Sequence, residues 1–314
     1  MRQEDTKLNK WVDGIFGVIV GDALGCPVQF MSREDIKARG AVEGMIGYGT
    51  YNMPPGTWTD DGSMTLALLA SIKEVYKIDL DDIMRRFIEW DSHGAYTQYN
   101  FAFDQGSTCM AAIERYKAQG NPHTCGCTGE FSNGNGSLMR IMPACLYACS
   151  DGLIADEAIK VIHEVGGLTH NHKRSLIGCG LYYFCVRAIL YGTENLNEDL
   201  QRGMTEGFGF YKGEAELRCY ERLKDVNEFA KTPESEIRSS GYIVDSLEAA
   251  IWSLVTTHTF KDCLLKAVNL GGDTDTIAAI AGGLAGLYYG YDSIPDEWLN
   301  KITDREWVKD LCER

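Results

Sequence analysis

The feature of the sequence that most constrains its fold is a three-to-four spacing of apolar residues, which recurs along the chain. Three sets of residues follow this spacing: Met64, Leu68, Ile72 and Val75; Ile83, Phe87 and Trp90; and Leu247, Ile251 and Leu254. The spacing is typical of helices with one buried face. No alternating apolar and polar run is long enough for a substantial sheet. The sequence therefore predicts an all-α fold.

Three further segments are also predicted to be helical. Residues 155–165 and 176–190 have helical patterns, and the second is apolar on nearly all sides, which indicates a central position. Residues 277–289 contain three glycines, at positions 282, 283 and 286. Because glycine lowers helix stability, three of them together indicate that another backbone packs closely against this helix.

The organisation of the chain is predicted to be simple. No repeat, low-complexity tract or Pro/Gly-rich linker interrupts it, so residues 1–314 are predicted to form a single domain. The run Asn-Gly-Asn-Gly at 133–136 would suit a hairpin turn, but its flanks do not alternate. This run is therefore predicted to be a loop.

Composition and charge limit the classes of partner. Hydrophobic residues make up 45 % of the chain and charged residues 24 %, which is ordinary for a globular protein. The net charge of -15 disfavours nucleic acid and anionic membranes as partners. The two most apolar stretches are 175–191, which Arg187 interrupts, and 277–289, which is too short to span a bilayer. Residues 1–11 have no apolar core, so no signal peptide is predicted.

The cysteines indicate a reducing compartment. There are eleven, an odd number without a regular framework, so we expect reduced and mostly buried thiols in a cytoplasmic protein. Cys125 and Cys127, together with His123, are a possible soft-metal site. No second cysteine pair completes a tetrahedral ligand set, so this segment is predicted to be a loop.

Two segments place hydroxyl and carboxylate oxygens just before a predicted helix. Residues 56–63 read GTWTDDGS, and residues 271–276 read GGDTDT. Such side chains cap helix N-termini, and capping alone would explain one segment of this kind. Each segment, however, has more acceptors than a cap needs and is followed by a strongly apolar helix. We therefore expect both helix starts to be buried.

Burial of these carboxylates points to a cation. Neither segment contains a lysine or arginine to serve as a partner. If the segments meet, four carboxylates share one pocket, and two such charges ~4 Å apart repel by roughly 4 kcal/mol at an effective dielectric near 20. Protonation of most of the carboxylates, or a bound cation, would relieve this repulsion. An all-oxygen ligand set favours magnesium, manganese or calcium over zinc.

Seven motifs, taken in order, resemble the ADP-ribosylglycohydrolase family, whose bacterial members include the dinitrogenase-reductase-activating glycohydrolases. The motifs are GDALG at 21–25, TDD at 59–61, FDQGST at 103–108, NGSLMRIMP at 135–143, LTHNH at 168–172, GYIVDSLE at 241–248 and DTDT at 273–276. One such motif alone is weak, but seven in order from about residue 17 to residue 290 are highly specific.

The resemblance implies a compact all-α fold with a dinuclear magnesium or manganese site in a cleft, and hydrolysis of a glycosidic bond at the anomeric carbon of ADP-ribose. It implies that the metal ligands are Thr59, Asp60, Asp61, Asp273, Asp275 and Thr276. It implies catalytic roles for Asp104, Asp60 and Asp61. The residues expected to bind substrate are Gly106, Ser107, Asn135, Gly136, Ser137, His170 and Tyr242.

Some of these residues have ordinary alternative roles. The run 135–137 alone is more often a plain turn, but in the family pattern its backbone amides would bind phosphate oxygens. Tyr242 is more often a core residue, although its position before a helix allows its ring to face the ribose. Arg140 is the nearest positive charge to that loop, and a structural ion pair would explain it equally well.

One position departs from the family pattern. Many members have glutamate in a segment like 27–30, where this chain has Gln29. Glutamine cannot act as a base, so any role that needs a carboxylate there falls to another group or is absent. We expect the segment to gate the site, so that the amide serves as well as a carboxylate. The alternative is that a carboxylate there positions water or metal, and that this protein is slowed or acts on a different linkage.

The expected activity is hydrolysis of ADP-ribosyl-arginine, on a modified protein or a small-molecule conjugate. Two ions would hold the distal ribose hydroxyls and orient or activate a water, Asp104 would assist proton transfer, and the transition state would be oxocarbenium-like. Alternatives are hydrolysis of another ADP-ribosyl linkage, such as a serine-linked or small-molecule conjugate, and a non-catalytic ADP-ribose-binding protein. A helical protein with acidic caps and no ligand is a further alternative.

Overall fold

The computed structural model describes residues 3–193 and 195–313. Within these residues the regular secondary structure is helical, apart from two isolated β-bridges. The α-helices are α1 (Gln3–Gly25), α2 (Arg33–Ala38), α3 (Asp60–Val75), α4 (Leu80–His93), α5 (Ser107–Gln119), α6 (Met142–Ser150), α7 (Ala155–Gly167), α8 (Lys173–Leu190), α9 (Leu196–Phe210), α10 (Val226–Phe229), α11 (Ile243–Val255), α12 (Phe260–Asn269), α13 (Thr274–Tyr289), α14 (Asp296–Leu299) and α15 (Arg305–Glu313). The 3₁₀ helices are Cys26–Val28, Ala215–Lys224, Glu234–Glu236 and Tyr291–Ser293. The prediction of an all-α protein is confirmed.

The helices predicted from apolar spacing are all present. They correspond to α3, α4, α7, α8, α11 and α13, and the buried residues of α8 occupy nearly all sides of that helix, as expected of a central one. Residues 133–136 form a loop, joined to residue 242 by one isolated bridge. The loop prediction is therefore confirmed.

Helix α1 was not predicted from the sequence, although it is 23 residues long and lies at the centre of the core. It has no apolar stripe because residues 11–25 are buried on every side, and its glycines lower its helix propensity. The stretch Lys10–Val28 is long and apolar enough to cross a membrane by length and composition, and its most apolar part is 100 % buried inside the protein. A buried core helix passes the same test, so this stretch is weak evidence for a membrane span.

Helices α1 and α13 cross at glycines, so that their backbones touch. A Cβ atom added at Gly17 would lie 2.0 Å from the carbonyl oxygen of Gly282, and one added at Gly282 would lie 2.1 Å from the carbonyl oxygen of Gly17. Nearer the site, a Cβ atom at Gly25 would lie 2.4 Å from the Cα atom of Asp275. The close backbone packing predicted from the glycines of 277–289 is thus confirmed, and it places the start of α13 against the end of α1.

We expect Gly282→Ala to destabilise the protein by about 3 kcal/mol or more, since the new methyl group can be accommodated only if the two central helices separate. The free energy of unfolding from denaturant titration measures this effect. Gly209→Ala in α9 is the matched control, because nothing lies within 4 Å of its added Cβ atom. The control is expected to stabilise the protein by up to about 1 kcal/mol. Equal stabilities for the two variants would contradict this account of the helix crossing.

Candidate active site

Four helices begin around one cleft of about 470 Å³. Asp60 and Ser107, which are the first residues of α3 and α5, line the cleft. Residues just before α11, and residues just before α13 or in its first turn, line it as well. Helix N-termini carry free amides and partial positive charge, which suits a cleft that collects acidic or anionic groups. A groove of about 500 Å³ elsewhere is lined by residues such as His163 and Tyr211, and it contains none of the predicted site residues.

The two oxygen-rich segments meet at the base of this cleft. The Thr59 hydroxyl lies 3.2 Å from Oδ2 of Asp61 and 3.5 Å from Oδ2 of Asp275. The Thr276 hydroxyl lies 3.4 Å from the same oxygen of Asp61, across a sequence separation of 215 residues. The convergence that the sequence predicts is therefore present, while the role of these residues as metal ligands stays a prediction.

Asp22 holds the start of α3 in place and was not among the residues predicted to form the site. Its carboxylate accepts hydrogen bonds from the backbone amides of Thr59, at 2.9 and 3.0 Å, and Gly62, at 2.7 Å. The side chain is fully buried, and this burial raises its pKa to about 7 despite the hydrogen bonds from those amides. The GDALG motif contained the residue, but only the folded chain shows which amides it binds.

The site brings several acidic side chains together in a buried environment. Asp60, Asp61 and Asp275 are nearly or completely buried. Burial raises the pKa of each carboxyl group well above its usual value, and the charges of neighbouring carboxylates, including Asp104 and Asp273, raise it further. No lysine or arginine lines the described part of the cleft.

The oxygen atoms at this point suit a hard cation. Oδ1 of Asp61 and Oδ1 of Asp275 are buried and have no hydrogen-bond partner among the described residues, which is costly for a carboxylate without a compensating charge. The oxygen–oxygen distances of 3.2–3.5 Å around Thr59 exceed those of good hydroxyl hydrogen bonds. They are close to the separation, about 3.0–3.4 Å, of adjacent oxygens that share one cation at 2.1–2.4 Å.

The carboxylates do not form a closed ligand set by themselves. Within residues 3–193 and 195–313, no three His, Cys, Asp or Glu side chains already surround a common point as metal ligands do. The fit of a cation therefore depends on the mixed carboxylate and hydroxyl oxygens of Thr59, Asp61, Asp275 and Thr276.

Asp104 lies at the edge of this cluster in a left-handed backbone conformation, with φ of 60°. The Tyr51 hydroxyl donates a hydrogen bond to its carboxylate, and the Gln29 and Asp275 side chains also contact it. Burial raises the pKa of Asp104, and these hydrogen bonds oppose that increase. Tyr51 was not predicted as a site residue, because nothing in its local sequence links it to a residue in another loop.

Gln29 belongs to the carboxylate cluster and is not an exposed gate. It is 4 % exposed, and its Nε2 donates to Oδ1 of Asp273 at 3.3 Å and contacts Asp104. The expectation that an amide serves here only because the segment gates the site is therefore not supported by its position. Gln29 supplies a donor where a glutamate would add one more negative charge.

We expect Gln29→Glu to lower the free energy of unfolding of the ion-free protein by about 1–3 kcal/mol. The change replaces a hydrogen-bond donor by a carboxylate that faces the carboxylates of Asp104 and Asp273. Saturating Mg²⁺ or Mn²⁺ should remove most of this loss. Thermal unfolding with chelator and with ion measures both effects. Gln119→Glu, at an exposed position, is the control for the charge change. An ion-independent loss would show that the new carboxylate does not face a cation site.

The predicted substrate-binding residues divide into two groups. Gly106, Ser107, Asn135, Gly136 and His170 line the cleft. Ser137 and Tyr242 do not, contrary to the prediction that all seven line it. Ser137 is completely buried and contacts the Cys179 thiol at 3.5 Å, and the Tyr242 ring packs against Arg174 at 5.8 Å.

Two details of the glycine-rich loop also differ from expectation. The backbone amide of Asn135 already donates to the carbonyl of Gly241 at 3.0 Å, and its side-chain amide donates to Asp273 at 2.6 Å. Asn135 therefore organises the loop and cannot offer that backbone amide to phosphate. Arg140 is not part of an ion pair with any described carboxylate, so the ion-pair alternative is wrong.

Comparison with known proteins identifies the family. Residues 3–314 match the ADP-ribosylglycohydrolase family model. The chain is 30 % identical over 313 residues to the ADP-ribosylarginine hydrolase Tri1 of Serratia proteamaculans, which covers 99 % of this chain and 80 % of that protein. It is 34 % identical over 293 residues to the ADP-ribosyl-dinitrogen reductase glycohydrolase of Rhodospirillum rubrum, which covers 91 % of this chain and 87 % of that protein.

A solved structure gives the same result. The chain superposes on a structure described as an ADP-ribosylglycohydrolase-related protein complex with a TM-score of 0.78 and 30 % identity, covering 98 % of this chain and 97 % of the other. The chain therefore belongs to the ADP-ribosylglycohydrolase family, whose members are hydrolytic enzymes.

Proposed function

We propose that this enzyme removes ADP-ribose from ADP-ribosylated arginine, with two divalent cations, magnesium or manganese, bound in the cleft. The observation that carries the proposal is the meeting of Asp61 and Asp275, each with a buried oxygen atom that has no partner. The residues that would hold the cations are Thr59, Asp60, Asp61, Asp273, Asp275 and Thr276.

The acceptor side of the proposal rests on charge and on the relatives. The described part of the cleft is lined by Asp60, Asp104 and Asp273 but by no lysine or arginine, so it favours a cationic leaving group over an anionic one. Phe30 also lines it and is 67 % exposed, which offers an aromatic face on which a guanidinium stacks. A relative that covers nearly the whole chain is named for arginine-linked ADP-ribose.

The reaction breaks the bond between the anomeric carbon and the guanidine nitrogen, and water supplies the oxygen that replaces it. We assign to Asp104 the role of accepting a proton from that water; its carboxylate lines the cleft and accepts a hydrogen bond from Tyr51, which supports this assignment. The departing guanidine nitrogen takes up the proton that Asp104 accepted from water, so one water molecule is consumed for each bond broken. A divalent cation in the cleft would neutralise the carboxylates and polarise oxygen atoms of the substrate.

The remaining parts of the proposal are the form of the substrate and the cell compartment. An ADP-ribosylated protein or small-molecule conjugate would reach the cleft from solvent. We propose a cytoplasmic location, because the eleven cysteines are free thiols and nine of them are buried. Such thiols persist in a reducing compartment.

The test is turnover of ADP-ribosyl-arginine by the purified protein with Mg²⁺, with Mn²⁺ and with chelator. We expect turnover only with an ion, together with a higher thermal midpoint. An ion present at a hundred times its Kd stabilises the folded state by about 2.7 kcal/mol. Ion-independent turnover would contradict the metal proposal. Turnover of a serine-linked substrate alone would contradict the arginine proposal, and ADP-ribose binding without turnover of any conjugate would favour a binding protein.

A further inference from the structure

Arg140 is a buried arginine whose hydrogen bonds all go to neutral groups. It is completely buried, and its guanidinium donates to the Val165 carbonyl at 3.4 Å and to the Thr169 hydroxyl at 2.8 Å. Its Nε atom has no hydrogen-bond partner within residues 3–193 and 195–313, and the centre of the Phe87 ring lies 4.8 Å from its guanidinium carbon. Burial of a charge without a counter-charge is costly, which indicates a specific role for this arginine.

The hydrogen bond from Arg140 fixes the direction of the next one. A guanidinium has donors only, so the Thr169 oxygen must accept from it. The Thr169 hydroxyl hydrogen is then left for a second partner. Nδ1 of His170 lies 2.9 Å from the same oxygen. With the direction set by Arg140, Thr169 donates and Nδ1 of His170 accepts.

The thiol of Cys109 also lies near the Thr169 hydroxyl. Burial raises the pKa of Cys109 to about 12, so the group is a neutral thiol at physiological pH. A thiol sulfur is a weak acceptor, whereas an imidazole nitrogen is a good one. The hydroxyl hydrogen of Thr169 therefore points to His170.

The imidazole of His170 is neutral, so only one of its two nitrogens carries a proton. Burial and the nearby Arg140 charge lower its pKa to about 3. Since Nδ1 accepts a hydrogen bond, the proton resides on Nε2. Cβ atoms built on Gly134 and Gly136 would each lie 3.5 Å from Nε2, and His170 and both glycines line the cleft.

We propose that Arg140, acting through Thr169, fixes His170 as the Nε2–H tautomer, which donates a hydrogen bond to an oxygen of the bound ADP-ribosyl group. Arg140 and Thr169 are positioning residues, and His170 is a donor that cannot serve as a base through Nε2. The identity of the ligand rests on the proposed function, whereas the tautomer of the free protein does not.

The first half of the proposal is tested by ¹⁵N NMR of histidine-labelled protein, with His170→Gln used to assign the resonances among six histidines. We expect Nδ1 of His170 to be unprotonated and Nε2 protonated, without change between about pH 5.5 and 8. Thr169→Val should shift the Nδ1 resonance because the hydrogen bond is lost, and Thr169→Ser should preserve it. Arg140→Met should make the second tautomer detectable.

Two results would overturn this half. One is a protonated Nδ1, or a mixture of tautomers, in the unmodified protein. The other is an Nδ1 resonance that does not respond to Thr169→Val, a variant that keeps the shape of the side chain. Because both are measured without Arg140→Met, the test does not depend on that variant being folded.

The second half is tested by calorimetric titration with ADP-ribose. We expect His170→Phe to weaken binding about tenfold, the loss of one hydrogen bond, and His170→Gln, which keeps a donor, to stay within about threefold. Equal affinities for the Phe variant and the unmodified protein would overturn the donor role. Absence of ADP-ribose binding to the unmodified protein would instead contradict the proposed function, and the NMR result would stand.

Discussion

Asp275→Asn is expected to reduce turnover of ADP-ribosyl-arginine by at least about a thousandfold and, in the absence of divalent ions, to increase thermal stability. The carboxylate is completely buried, and one of its oxygens has no partner. The amide keeps its shape but removes a charge that the neighbouring carboxylates repel, so the ion-free fold gains stability. The same change removes a proposed metal ligand, which is worth several kcal/mol to the transition state.

The measurements are turnover and thermal unfolding, each with chelator and with Mn²⁺. The unmodified protein should gain stability from the ion, and the variant should gain much less. Asp292→Asn, an exposed carboxylate in a 3₁₀ helix, is the control for the loss of one charge. A variant of Asp275 that is less stable without ions and equally stabilised by them would show that this carboxylate has a structural partner and no cation.

Asp104→Asn is expected to lower turnover by about 10²–10⁴-fold with little change in the stability of the ion-bound protein. The amide preserves the shape of the side chain but cannot accept the proton from water. Residue 104 has φ of 60°, and asparagine is among the residues that tolerate this conformation best. The variant should therefore fold normally, and rates under saturating substrate measure the catalytic loss.

Tyr51→Phe provides the comparison for this variant. It removes the hydrogen bond to Asp104 but leaves the carboxylate in place, so we expect a smaller loss of turnover than for Asp104→Asn. A near-native rate for Asp104→Asn would move the proton acceptor to another carboxylate of the cluster, such as Asp60.

The helices and the meeting of the two acidic segments could be predicted from the sequence, because each depends on a local pattern with a physical requirement. Apolar spacing identifies a buried helix face, as in α3 and α11. Carboxylates before an apolar helix are buried with it, and two buried acidic segments are predicted to share a cation that relieves their repulsion. Asp61 and Asp275 both contact the Thr59 hydroxyl, although they are far apart in the chain.

The contacts that complete the site could not be predicted, because they join loops that have no sequence relation. Tyr51 reaches Asp104, and Asp22 binds the amides of the α3 start, only once the loops are in place. The orientation of Ser137 is a similar case. Its side chain points into the core, where it contacts Cys179, and a change in the backbone direction at a single loop residue is enough to decide between core and cleft. Helix α1 was not predicted because residues 11–25 are buried on every side and leave no apolar stripe, and because its glycines lower its helix propensity.

The glycine crossing of α1 and α13 has a consequence for the order of events during protein synthesis. Helix α1 leaves the ribosome long before α13 has been translated, so its apolar surface stays without this packing partner until α13 has been made. Contacts of such long sequence separation form slowly, because the entropy of closing the loop is lost before the contact forms. A nascent chain can therefore contain most of these helices and still lack half of the active site, so we expect hydrolytic activity to begin only after α13 has been translated.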